Sequence, residues 1–337
     1  MRARSTSSPP PRRARDGGPR WPVCVAALAA LLLSVPALLG TAPATPRQSG
    51  RDAAASPPPA AAPPLVASPS PVPGLSPEEG QRITARIEDY LAGQEGRLAI
   101  SVHDLATGTT YGYGGDQTFP TGSLVKLNIL VLLLLQADDE ERELTAEERD
   151  LAEQMIRYSD NDVTDLLYQR IGFDAGFARG NARLGLRATV AGGGQPGVWG
   201  ATTTTTADQI RLLRAVFTDS GPLSRHSRSY ARRLLGSVAP EQAWGVSAAA
   251  GEGDRVELKN GWVPRDVDGG RWAISSAGHV HGERRSYLIA VLSDRHLGYG
   301  EGVACVEHVV TEVVDALEEN AARQRGTDHA GLAPRAS

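Results

Sequence analysis

The chain has 337 residues, a formal net charge of −4, a pI near 6.0 and 2 cysteines. That length allows one or two domains with a core of ordinary size, and the weakly acidic balance gives no electrostatic basis for binding nucleic acid. An internal disulfide is not expected, because Cys24 lies in an apolar N-terminal run and Cys305 falls in an apolar-periodic helix pattern, where a thiol packs as core.

Residues 1–21 are rich in Arg, Ser and Pro, residues 23–39 form an apolar run broken by Pro36, and Thr41-Ala-Pro-Ala44 follows. This order describes a secretory signal peptide cut after Ala44. The alternative is an uncleaved anchor with its basic end in the cytoplasm, because about 17 apolar residues just span a bilayer. Cys24 sits inside the run rather than after it, so nothing here supports a lipoprotein anchor. Residues 45–75 are Pro, Ala and Ser with few large apolar groups, which describes a solvated, disordered linker. The expected location is therefore secreted or cell-wall associated, with a membrane-anchored form as the alternative. Any membrane contact is through the N-terminal segment alone.

Ser76-Pro-Glu-Glu79 has the spacing of a capping box and opens a helix to Leu91. Leu98 to Val102 reads as a buried strand, and Thr107-Gly108 turns the chain into a second strand over 109–113. Helical patterns follow over 123–136, 145–157, 160–171, 206–218 and 226–236, with Thr205 and Asp208 placed to cap the fourth. The acidic run Asp138 to Glu143 reads as a solvated loop and helix start. Strands return at 256–262, 271–277 and 286–293, a helix over 302–317 closes the domain, and 326–337 reads as a disordered tail. Strands at both ends with helices between them predict one domain over 76–325, of α/β (α+β type) class. A five-stranded antiparallel sheet is expected, covered on one face by the N- and C-terminal helices, with an all-helical subdomain built from the middle. His279 and His281 face one side if they lie on a strand, and would then suit a metal. The reading adopted puts them in the hairpin before Glu283-Arg284, with no metal and no cofactor.

The stretch Phe119-Pro-Thr-Gly-Ser-Leu-Val-Lys-Leu-Asn128 carries the chemistry. A helix starting at Ser123 brings its hydroxyl and the amine of Lys126 to one face, and the run after it is apolar on nearly every side. A polar pair at the mouth of a buried helix is costly unless it has partners or a task. Of 35 Lys+Arg, only Lys126 and Lys259 are lysines, leaving 35 − 2 = 33 arginines. Arginine does not give up its proton in proteins, whereas a buried lysine does so readily, so these two cations are the candidates for proton transfer. Ser123 is the candidate nucleophile and Lys126 its base.

Ser123 and Lys126 form S-x-x-K, Ser159-Asp160-Asn161 follows a helical pattern, and Lys259-Asn260-Gly261 lies on a predicted strand. S-x-x-K, S-D-N and K-T-G together mark class A β-lactamases and penicillin-binding proteins. With all three in order, and Asn260 in place of the usual threonine, residues 76–325 resemble the penicillin-recognising serine hydrolases, nearest the class A β-lactamase branch. The resemblance implies a β-lactamase/transpeptidase-like fold and an acyl-enzyme at Ser123. It implies that Ser159 relays a proton to the leaving nitrogen and that Asn161 holds the substrate amide. It implies that Lys259 lowers the charge cost at Ser159 and attracts a substrate carboxylate, with Asn260 and Arg271 beside it as substrate-binding candidates. Gly261 permits close backbone approach, and the N–H groups of Ser123 and Trp262 would form an oxyanion hole. The expected partner is a β-lactam or a peptidoglycan stem peptide, taken by a monomer.

Class A β-lactamases carry a glutamate, in a loop after Ser-Asp-Asn, that activates water to release the acyl group. Here residues 175–207 contain no Asp or Glu, only Gly192-Gly-Gly-Gln-Pro-Gly-Val-Trp199. Gln195 orients water but cannot take its proton. Acylation is expected to proceed and hydrolysis to be slow. The alternatives are a D-alanyl-D-alanine carboxypeptidase or transpeptidase and a non-turnover binding module.

Overall fold

The computed structural model describes residues 74–194, 197–283 and 285–331. The expected signal peptide, all but the last two linker residues, and Gln195 lie outside the described residues. The chain enters through α1 (Pro77–Leu91) on the expected capping box, in which Ser76 Oγ accepts from the Glu79 N–H at 3.2 Å and the Glu79 carboxylate accepts from the Ser76 N–H at 3.2 Å. β1 (Arg97–Asp104) and β2 (Thr110–Tyr113) form the first hairpin. After the helical middle come β5 (Arg255–Arg265), β6 (Arg271–His281) and β7 (Ser286–His296), and the strands assemble antiparallel in the order β2-β1-β7-β6-β5.

Alternation along these strands gives the sheet two buried faces. Leu98, Ile100, Leu258, Ile274, Val280, Ile289 and Val291 pack with α1 and with α8 (Tyr299–Gly331). Ala99, Ala277, Leu288, Ala290 and Leu292 face the helical region instead. The fold is thus the antiparallel sheet, terminal helices and helical middle that the sequence predicts.

At the centre of the helical region lies α2 (Val125–Asp139), in which Leu127 through Leu135 are all buried. An apolar surface on every side is what a helix surrounded by others requires. Around it stand α3 (Ala146–Arg157), α4 (Asp162–Arg170), α5 (Phe173–Arg183), α6 (Thr206–Phe217) and α7 (Arg225–Leu235). A short ribbon of β3 (Phe119–Pro120) and β4 (Thr203–Thr204) ties the segment before α2 to the segment before α6.

Several expectations need correction. α5 was not expected; its glycines lower helix propensity, yet they are needed there, since a Cβ at Gly180 would lie 2.3 Å from Leu132 Cδ2 of α2. α8 extends to Gly331, past the expected end at 317 and into the supposed tail. His279 and His281 lie on β6, paired with Glu257 and Arg255 of β5, and not in a hairpin.

Candidate active site

Ser123 sits in a single 3-10 turn, Gly122–Leu124, that leads directly into α2. The turn is tight because Gly122 adopts φ 50°, and a Cβ there would lie 3.0 Å from the backbone N and O of Trp262. Gly261 makes the same junction from the other side: a Cβ on it would fall 2.0 Å from the Thr121 carbonyl and 2.5 Å from the Leu124 nitrogen. The nucleophile turn and β5 are therefore in backbone contact, which sets the N–H-bearing segments at Ser123 and Trp262 side by side.

Lys126 and Lys259 are both 0% exposed, whereas Ser123 and Ser159 keep partial access to solvent. Lys126 Nζ lies 3.0 Å from Ser123 Oγ, 3.1 Å from Ser159 Oγ, 2.6 Å from the Ser159 carbonyl and 2.7 Å from Asn161 Oδ1. Lys259 reaches across from β5 to place its Nζ 3.2 Å from Ser159 Oγ, and also donates to the Asn260 carbonyl at 2.9 Å. Ser159 thus stands between two lysine amines, and Lys126 stands between two hydroxyls. Burial lowers the pKa of Lys126 to about 8, against an opposing pull from Asp160 and Asp165. Lys259 is held well below the ordinary lysine value by burial and by repulsion from Lys126.

The turn between α3 and α4 is shaped for these contacts. Ser159 holds φ 56°, a left-handed conformation uncommon for a residue with a side chain, and its carbonyl is fixed by Lys126. Asp160 Oδ1 accepts from the N–H groups of Asp162 and Val163, so Asp160 starts α4 and leaves Asn161 free to engage Lys126.

Residues 82–149 and 143–317, more than half of the chain, match the family described as "Beta-lactamase enzyme family". The chain belongs to that family. Among similar proteins is "Putative lipoprotein LppW" of Mycobacterium bovis, 26% identical over 231 residues, 66% of this chain and 72% of the relative. Among solved structures, PBP-A superposes with a TM-score of 0.62 at 22% identity, over 74% of this chain and 99% of PBP-A, and one of the matched PBP-A structures is a mutant acyl-enzyme with penicillin G. TLA-1 extended-spectrum β-lactamase gives a TM-score of 0.63 at 16% identity, over 71% of this chain and 99% of that chain. These structures share the fold of this beta-lactamase-family chain. Among its described residues, no helix is long and apolar enough to cross a membrane.

Two sequence candidates lie away from the cluster. Asn260 is 1% exposed and its amide donates to the carbonyls of Gln242 at 2.7 Å and Trp244 at 3.0 Å, on the α8 side of β5. Strand alternation sends Lys259 and Gly261 to one face and Asn260 to the other, so the Asn260 amide is engaged away from Ser123. The Trp262 indole shares Asn260's face and packs with Trp244 and Tyr299, so its bulk stays out of the Ser123 side. Arg271 is engaged elsewhere, with Glu95 at 2.6 Å and the Arg295 carbonyl at 3.2 Å.

The structure also adds residues that sequence reasoning passed over. The described residues on either side of the turn before Trp199 are drawn back to the nucleophile: Asp208 accepts from the N–H groups of Arg187 and Ala188, Val190 pairs with Thr203, and the Thr202 carbonyl accepts from the Thr121 N–H at 2.8 Å. This lays the Trp199 ring 5.2 Å from Lys126 Nζ, with the indole N–H donating to Asp165 Oδ1 at 2.6 Å. The signal available for Trp199 was a lone large aromatic in an otherwise small-residue, acid-free stretch.

Proposed function

We propose that the chain is an exported serine hydrolase, acylated at Ser123 by a β-lactam or related amide, that releases the acyl group slowly. The observation that carries this reading is a fully buried amine placed 3.0 Å from a solvent-reachable hydroxyl, its pKa lowered by that burial to about 8. At pH 7 about one Lys126 in ten is neutral. The neutral amine has two N–H donors and one lone pair. The obligate acceptors, the Ser159 carbonyl and Asn161 Oδ1, are its nearest neighbours at 2.6 and 2.7 Å, which leaves the lone pair for the Ser123 proton.

In this scheme Ser123 Oγ bonds to the amide carbon as its proton passes to Lys126. The negative oxygen is held by the N–H groups of Ser123 and Trp262. Collapse breaks the C–N bond, and the nitrogen takes a proton from Ser159 Oγ, which is replenished from Lys126. Lys259 stabilises negative charge on Ser159 during that transfer and draws the substrate carboxylate. The amide nitrogen of Asn161 is left for a substrate carbonyl. Release of the ester needs a base for water, and residues 175–207 supply no carboxylate; lack of a positioned base costs about 100- to 10,000-fold.

Incubating the chain with a penicillin and a chromogenic cephalosporin, and following product and intact mass together, tests the reading. One stoichiometric adduct that decays slowly, and none in Ser123→Ala, is expected. Many rapid turnovers would contradict slow release, and an unchanged rate in Ser123→Ala would contradict the site. Steady release of D-alanine from a stem peptide would assign the chain to peptidoglycan processing, and an adduct that never decays would assign it to sensing.

A further inference from the structure

A second cluster of ligand-type side chains lies farther along the same face of β5. Glu257 is two residues before Lys259 and shares its face, and directly across the ladder from it stands His279, with His281 next on that face of β6. Glu257 Oε2 is 3.0 Å from His279 Nδ1 and 3.4 Å from His281 Nε2, and all three ligand atoms fall within 4.8 Å of one another. The two imidazoles stack with centroids 4.6 Å apart and planes 11° from parallel.

We propose that Glu257, His279 and His281 form a binding site for a divalent transition metal of the Zn2+ class, independent of the Ser123 chemistry. Four features carry the assignment. Zn–N and Zn–O bonds of about 2.0–2.1 Å in a tetrahedron place ligand atoms roughly 3.3 Å apart, and the observed 3.0 and 3.4 Å bracket that spacing. Two nitrogens and one carboxylate oxygen form a donor set that suits Zn2+ and leaves a fourth position for water. The other nitrogen of His279, Nε2, lies 2.8 Å from Ser286 Oγ, and this is the outer hydrogen bond that fixes a metal-ligating imidazole's tautomer and tilt. The Phe217 ring, 4.6 Å from that of His279, closes the inner side, while His281 stays about one-third exposed and leaves an entry path.

The i, i+2 placement on one strand, with the carboxylate directly opposite on its neighbour, makes the site a product of sheet register alone. No loop has to close to form it. The three side chains also join β5 to β6 beside Lys259, so a bound ion would brace that end of the sheet.

The test uses the untagged full chain, stripped with a chelator and titrated with Zn2+ by calorimetry and with Co2+ by visible absorption. One equivalent is expected, with the d–d bands of low-coordinate Co2+. His281→Ala and Glu257→Gln should each weaken binding by more than about 10-fold, and Ser286→Ala by about 10-fold. Because His281 is partly exposed, its variant keeps the fold even if His279→Ala does not. Acylation of Ser123 should persist in stripped protein and in His281→Ala, which separates this site from the proposed enzyme activity. Absence of Zn2+ binding, or binding unchanged in both His281→Ala and Glu257→Gln, would overturn the proposal and leave the cluster a hydrogen-bonded pair of histidines on a carboxylate.

Discussion

Lys126 has four oxygen neighbours within 3.1 Å, one more than an ammonium has protons to donate. Burial is why its proton is nonetheless loosely held, against the opposing pull of Asp160 and Asp165. The opposing influence of Asp165 gives a sharp test, since Asp165→Asn removes a charge while keeping an oxygen for the Trp199 indole. The apparent pKa of the acylation rate should move below the wild-type value, read from a pH profile; an upward move would contradict the assignment of Lys126 as the base. Gly261 gives a second test. A methyl group there meets backbone atoms at 2.0 and 2.5 Å, so Gly261→Ala should lower acylation at least about 100-fold and cost about 1–3 kcal/mol in a denaturant melt. At this scale much was legible: the scarcity of lysine singled out both buried cations. What was not legible was the side of the strand each residue takes. Lys259-Asn260-Gly261 reads as a unit in the chain, but alternation splits it, and Asn260 goes to the far face.

At the scale of elements, capping chemistry decides where helices begin. α3 starts on a capping box of Thr145 and Glu148, and Glu148 is almost fully buried with Arg142 and Arg170 at its carboxylate. Burial alone would raise its pKa, but hydrogen bonds from Arg142 and the Thr145 N–H outweigh this and hold it below the ordinary value. A depressed carboxylate contributes stability that is present above the unfolded-state pKa and is lost as pH falls through the folded one. Glu148→Gln should therefore cost about 1–3 kcal/mol near pH 7, and the gap to wild type should close as the pH is taken down through the carboxylate range. A gap that stays constant would refute the ion pair's role. Capping boxes and buried runs are written in local sequence, which is why α1 and α2 were readable. α5 was hidden in part because Gly180 answers to Leu132 on another helix, a contact that no window of local sequence contains.

For the whole molecule, two buried lysines on different elements must be brought together with their charges suppressed. A lysine whose folded pKa lies below its unfolded value binds its proton less well when folded, so stability rises with pH between the two values. For Lys126 that window runs from about 8 toward 10.5 and is worth on the order of 3 kcal/mol. The stability of Lys126→Met relative to wild type should accordingly fall between pH 7 and pH 9.5 in chemical denaturation; a constant difference would mean the amine is charged throughout. The assembly that holds these charges, a sheet between terminal helices and a helical middle, was evident from the order of strand and helix patterns. The placement of Trp199 against Lys126 was not, since it depends on Thr121 and Asp165, both distant in the chain. The most direct measurement of the central claim is the second-order rate of Ser123 acylation by a penicillin, followed by intact mass from pH 5.5 to 9.5. The account predicts a rate that climbs about tenfold per pH unit and levels off near pH 8, where Lys126 loses its proton. A rate that is flat across this range, or that falls as pH rises, would contradict it.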